Sequence, residues 1–203
     1  MNTKEKVGQS HDAQWSPSVE SLVKSLGEMS LSLQWLHSRS EDLFNLYASF
    51  LSIPTIILST LTGAGSVAFG EEGRTATLIL GSLSIAVSII STLNSYFAFA
   101  KRAETHRITA ISYGKLYLSV SIEMSLPRDK RQHVKDFLKN LIDNVNRLTE
   151  IQPNVPKVVI VEYNHLFHDE NPSIARPTMV NGLQEIIVCL EEQQRNILIE
   201  PIG

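Results

Sequence analysis

Cysteine is nearly absent. The one cysteine among 203 residues, Cys189, excludes an internal disulfide and a cysteine-based zinc site. Charge is scarce too: 19% of residues are charged, against roughly 25% in ordinary soluble domains. The net charge of −3 leaves no basic face for nucleic acid at the level of the whole chain. No glycine-rich loop of the P-loop or dinucleotide type occurs, and no nucleophile is linked to a base, so neither catalytic residues nor a cofactor is expected. His165 and His168, followed by Asp169 and Glu170, have a spacing that could ligate a metal; the alternative is a set of solvated side chains, and no metal site is expected. Residues 1–16 are polar and expected to be disordered. They lack an apolar core, which predicts that no cleavable signal peptide precedes the first hydrophobic run.

The most informative absence is of charge within two runs, the 28 residues 43–70 and the 26 residues 75–100. About 20 helical residues cross a hydrocarbon core of ~30 Å, so each run is long enough to span. The alternative, buried helices of a soluble bundle, would tolerate a charge at an edge. Spans at about 43–69 and 75–100 are therefore predicted, joined by "EEGR" into a tight hairpin. Lys24, Arg39, Lys101, Arg102, Arg107 and Lys115 lie near the outer ends, while the loop offers only Arg74. This asymmetry predicts a multi-pass membrane protein with both termini in the cytoplasm and Glu71 and Glu72 at the far surface. Tyr47, Tyr96, Phe97 and Phe99 suit the cytoplasmic interface. Pro54, inside the first span, predicts a kink or an opened backbone hydrogen bond.

What these runs contain is small and hydroxylated. Asn45, Ala48, Ser52, Thr55, Ser59, Thr62 and Ser66 recur at alternating spacings of three and four, as do Thr77, Gly81, Ser84, Ser88, Ser91 and Ser95. Such spacing keeps a seam on one face of a left-handed helix pair. Two readings stay open. Small residues let helices approach in lipid, where no hydrophobic force drives them together. Alternatively, a seam lines a water-filled path in an oligomer, since two spans cannot enclose a pore alone. One seam can face its partner helix while the other faces an axis. The lack of any ionisable residue in the spans argues against a proton-coupled transporter or a voltage sensor. Rings of Glu71 and Glu72 would bias a pore towards cations.

Outside the spans, an all-α arrangement of cytoplasmic helices is predicted at about 17–40, 101–126 and 128–150. The first has Ser16 as cap and Pro17 at its first position, and places Trp35 near the membrane surface. In the second, Ala103, His106, Ala110, Tyr113, Tyr117, Val120 and Met124 form a coiled-coil-like stripe expected to meet partners. "KVVIVEYNHLF" is ambiguous between strand and helix. Residues 168–203 read as a polar tail with one short helix from Gly182 to Arg195.

"AETHRITAISYGKLYLSV" fits an Ala-x-x-His-x-x-x-Ala-x-x-Tyr-x-x-Leu pattern through Ala103, His106, Ala110, Tyr113 and Leu116, and "QPNVPKVVIVEY" supplies Pro153, Pro156 and Tyr163. In these features and in the order of its parts the chain resembles the SLATT domain, the two-transmembrane effector associated with SMODS nucleotidyltransferases and SLOG sensors. The resemblance covers about residues 33–167, within a SLATT-like domain drawn at 17–167. It implies a homo-oligomeric membrane effector in the bilayer, pore-forming, acting in a stress or antiviral defence system, with a nucleotide-signalling or sensor partner. The tail and the strand-like "VVIVEY" depart from the family pattern. The competing reading is a non-conducting structural or scaffold membrane protein, for example an anchor in a membrane-containing virus particle.

Overall fold

The computed structural model describes residues 15–69, 73–167, 174–183 and 185. Among these every regular element is helical, and two helical arms are long and apolar enough to cross a membrane. Helix α1, Pro17–Phe69, runs 53 residues without a break, roughly 80 Å at 1.5 Å per residue. The helix expected at 17–40 and the span expected from 43 are thus parts of one continuous helix. "SRSED" changes the chemistry of the surface but holds no glycine or proline that would end a helix. The helix also continues through Pro54.

The chain returns through α2, Arg74–Phe97, and α3, Phe99–Ser125, a second arm interrupted only at Ala98. Gly73 starts this arm at φ 111°, a backbone state that favours glycine. The two arms lie antiparallel along their whole length. Leu80 approaches Gly65, Asn94 bonds Ser52, His106 meets His37, and Val120 closes on Gly27. At Gly27 a Cβ would stand 2.7 Å from Val120 Cγ1, so the arms come this close only because glycine is there.

The stripe expected to meet partners packs instead inside the chain. Ala103, His106, Ala110, Tyr113 and Val120 are buried and Tyr117 and Met124 partly covered, with Leu116 buried beside them, in the arm that pairs with the polar half of α1. That half of α1 buries Val23, Ser30, Leu33, Leu36, His37 and Ser40. Its periodicity matches that of α3, so each helix satisfies the other.

Two further helices complete the core at this end. A 3₁₀ turn at Arg128–Lys130 leads to α4, Val134–Ile151, which begins later than the predicted 128. Glu20 holds the turn to α1, accepting from Arg128 Nε and Nη2 at 2.7 Å each and from Arg131 Nη1 at 2.6 Å. These guanidinium hydrogen bonds, Arg128 first, lower the Glu20 carboxyl to about 2. Val134, Phe137, Leu141 and Leu148 form the buried face of α4.

The ambiguous segment is helical: α5, Lys157–Phe167, starts just after Pro156 and buries Val159 and Tyr163, four residues apart on one face. Tertiary packing here overrides the β preference of its valines. Trp35 packs edge-on against Tyr163 and Phe167, with centroids 5.5 and 5.4 Å apart, within this core. Ala175 N donates to Glu28 Oε2 at 3.0 Å, and a single turn, α6 at Thr178–Asn181, follows. The predicted helix from Gly182 to Arg195 falls almost wholly outside the described residues.

Candidate functional site

In the apolar halves of the two arms, each seam residue takes its position from helix phase. Ala76, Leu80, Leu83, Val87, Ile90 and Asn94 are the partly covered residues of α2, which packs on α1. Each predicted seam residue of α2, Thr77, Gly81, Ser84, Ser88, Ser91 and Ser95, follows one of these by one position. The seam is therefore turned by about 100° from the contact line. All six are exposed, and nothing lies within 4 Å of a Cβ built at Gly81. Alongside Ser84 and Ser88, with Ile85, Ile89, Thr92 and Leu93, runs a groove of about 410 Å³.

The seam of α1 divides. Ser52, Thr55 and Thr62 are partly covered, in company with Ala48, Leu51, Leu58 and Gly65, whereas Ser59 and Ser66 are exposed. The contact stripe is centred towards Leu51, Leu58 and Gly65, to one side of the hydroxyl line. Asn94 Nδ2 donates to Ser52 Oγ at 3.1 Å, a side-chain hydrogen bond joining the apolar halves. Most other hydroxyls bond within their own helix: Thr55 to Leu51 O at 2.7 Å, Thr62 to Leu58 O at 2.8 Å, Ser66 to Gly63 O at 2.7 Å, Ser84 to Leu80 O at 3.0 Å and Ser88 to Ser84 O at 2.9 Å. Back-bonding of this kind satisfies the hydroxyl at little cost in an apolar medium. Glu71 and Glu72 lie outside the described residues.

Where the apolar halves end, aromatic rings gather about the interruption at Ala98. Phe99 stacks on Phe97 at 5.2 Å and lies 5.5 Å from Tyr47 and 6.2 Å from Phe44. One layer further along is a feature not apparent in the sequence. His37 Nδ1 and His106 Nδ1 are 2.9 Å apart, with His37 0% and His106 1% exposed. Phe44 stacks on His106 at 5.3 Å, and Tyr113 lies parallel to His37 at 5.8 Å. Gln152 Oε1 is 3.3 Å from His37 Nε2 and 3.0 Å from the Tyr113 hydroxyl.

An amide oxygen only accepts, so His37 carries its proton on Nε2 and Tyr113 donates its own. Neutral His37 then accepts at Nδ1 from the Nδ1–H of His106. Burial pushes His37 below its ordinary value. Burial, with the opposing His37 second, takes His106 down to about 4. The node is thus neutral, and among the described residues no buried side-chain nitrogen or oxygen lacks a partner. Arg39 Nε, bonded to both Glu162 oxygens at 2.8 and 3.0 Å, clips α5 beside it.

Of the family-like residues, His106 and Tyr113 thus enter one polar node, with Ala103, Ala110 and Leu116 packed along the same helix. His37 and Gln152 were missed, because their partners are 69 and 115 residues distant in sequence. Among the described residues no three His, Cys, Asp or Glu side chains gather where a metal could sit. His165 is exposed, while His168, Asp169 and Glu170 lie outside the described residues. Comparison with family models, with curated proteins and with solved structures found no match to this chain.

Proposed function

We propose that this chain is a two-span membrane effector that assembles into a homo-oligomer and forms a pore, with both termini in the cytoplasm. The observation that carries the reading is the exposed hydroxyl seam of α2. α1 turns part of its own seam towards α2, but Thr77, Gly81, Ser84, Ser88, Ser91 and Ser95 receive no cover within the chain. A helix that only had to dissolve in lipid would present aliphatic side chains there, and one that had to meet other copies or water would present small hydroxylated ones. No residue in the apolar windows of either arm is fully buried, unlike a core helix of a soluble protein. The basic residues near the outer ends support the orientation. The resemblance to SLATT domains supports a role in stress or antiviral defence, gated by a nucleotide-signalling or sensor partner.

The test is reconstitution. Purified in detergent, the chain is expected to show one discrete oligomeric mass and to release ions and small dyes from liposomes. Ser88→Leu combined with Ser91→Leu is expected to abolish release while leaving helicity unchanged. A well-folded monomer or dimer that never leaks, with or without cyclic nucleotides, would move the assignment to a non-conducting scaffold, with the hydroxyl seams serving as helix glue.

A further inference from the structure

A pocket of about 260 Å³ lies between α1, α5 and the segment 174–176. Leu31 and Trp35 of α1, Phe167 of α5 and Ile174 give it apolar walls, and Ser32 and Tyr163 bring hydroxyls to it. The third wall is fastened on both sides. Ala175 N donates to Glu28 Oε2 of α1 at 3.0 Å, and Arg176 Nη2 donates to Phe167 O of α5.

The hydroxyl pair has a proton left over. Tyr163 donates to Ser32 Oγ at 2.8 Å, and the two residues are 5% and 6% exposed. Two hydroxyls carry two protons, and the bond between them uses one. The other buried serines of α1, Ser30 and Ser40, spend theirs on Leu26 O and Leu36 O at 2.7 Å each. Among the described residues Ser32 has no such carbonyl partner; its bond is the one to Tyr163. Whichever hydroxyl donates to the other, one donor stays unspent beside an apolar cavity, where an acceptor is worth most.

We propose that this pocket binds a small uncharged aromatic molecule, about two fused rings in size, with one hydrogen-bond acceptor turned to the Ser32–Tyr163 pair. Size follows from volume. An apolar cavity of about 150 Å³ holds benzene, so about 260 Å³ takes two fused rings and little more. Aromatic character follows from the walls. Trp35 and Phe167 stand at 89° to each other, so a ring laid flat on one meets the other edge-on, and both arrangements are favoured. The one charged side chain on the described lining, Arg176, is engaged in closing the wall and leaves no call for a counter-charge. The acceptor answers the unspent proton.

The site is built from α1, α5 and the segment after it, and needs neither a bilayer nor a pore. A failed liposome assay leaves it standing.

The full-length chain in detergent at pH 8, with both tryptophans replaced by 5-fluorotryptophan, would be titrated with two probes. Quinoline has two fused rings and one acceptor nitrogen; naphthalene has the same shape without it. Fluorine NMR reads Trp35 at the pocket, with Trp15, packed beside Phe137 and Arg131, as the internal control. Quinoline is expected to move the Trp35 resonance saturably and to leave that of Trp15 in place. The quinoline-to-naphthalene affinity ratio is expected to fall about fivefold or more in Ser32→Ala combined with Tyr163→Phe. Either change alone should lower it much less, because each leaves one hydroxyl with a proton to donate. Partition into the micelle is common to all chains and cancels in this comparison. Ile174→Phe, which fills the pocket from outside the helices, should abolish the Trp35 shift at unchanged helicity. A Trp35 resonance that stays still up to the solubility of quinoline, moves together with Trp15, or shifts equally in Ile174→Phe would overturn the proposal. So would an affinity ratio unchanged in the double variant.

Discussion

His37 on α1 and His106 on α3 meet nitrogen to nitrogen at 2.9 Å, sealed between Phe44 and Tyr113. The neutral pair holds two ring protons, one on His106 Nδ1 between the rings and one on His37 Nε2. A third enters at His106 Nε2 and puts a charge into the buried pair, and a fourth would set two donors against each other.

This arrangement gives stability a pH dependence of known sign. Both histidines have folded values below the ordinary 6.5, His106 at about 4. Between those limits the unfolded chain binds protons that the folded chain refuses, so stability is present above pH 6.5 and is lost as pH falls towards 4. Thermal unfolding in detergent, followed by helicity at pH 8 and pH 5, should show a lower midpoint at pH 5. The double variant His37→Phe, His106→Phe should flatten the difference.

Gln152 is the acceptor on which the node depends. Gln152→Leu leaves the His37 Nε2–H buried without a partner, at about 1–3 kcal/mol, and takes one of two side-chain partners from the Tyr113 hydroxyl, which keeps Thr149, at about 1 kcal/mol more. Chemical denaturation should show a loss of about 2–4 kcal/mol. Adding His37→Phe and Tyr113→Phe, which removes both donors, should restore part of it. Three substitutions that were merely additive would argue against a shared acceptor.

Asn94 makes a smaller contribution. Its bond to Ser52 joins the apolar halves at 3.1 Å, and such bonds between spanning helices average about 0.6 kcal/mol, reaching about 1.7 kcal/mol. Asn94→Ala should weaken the hairpin by about that amount, and Ser52→Ala in the same chain should add little more. A double-mutant cycle checks the coupling.

Gly27 tests the closeness of the arms. Alanine there would gain about 1 kcal/mol in helix propensity, but its Cβ meets Val120 Cγ1 at 2.7 Å and Val120 Cβ at 3.2 Å. Val120 is branched and stiff, so the overpacking cost of about 1–3 kcal/mol should prevail. Gly27→Ala is expected to destabilise and Gly27→Leu to do so more severely. Val120→Ala should turn Gly27→Ala from harmful to neutral or better, as read from unfolding midpoints.

The two long apolar arms were legible because a missing charge is a local signal that needs no knowledge of packing. The stripe from Ala103 to Val120 was legible as a stripe, but not as to its partner, because periodicity shows that a face is buried and not what buries it. The continuity of α1 was hidden by a change from amphipathic to wholly apolar residues, which looks like a boundary but breaks no backbone hydrogen bond. The valines of α5 suggested a strand until Val159 and Tyr163 found the core. His37 gave no sign at all, since its meaning is supplied by His106 and Gln152, far along the chain.

Ala98 has a consequence of its own. It is the one non-glycine residue with positive φ among those described, at φ 47° and ψ 44°, and it sits where α2 hands over to α3. A left-handed alanine costs about 1–2 kcal/mol relative to the right-handed helix, and here the aromatic cluster of Phe97, Phe99 and Tyr47 surrounds it. The second arm therefore keeps a local break in its helix against the preference of its own backbone, while Ala98 N still donates to Asn94 O and Ala98 O still accepts from Arg102 N. That single residue sets the rotational phase of α2 upon α3, and with it which side of α2 carries the hydroxyl seam.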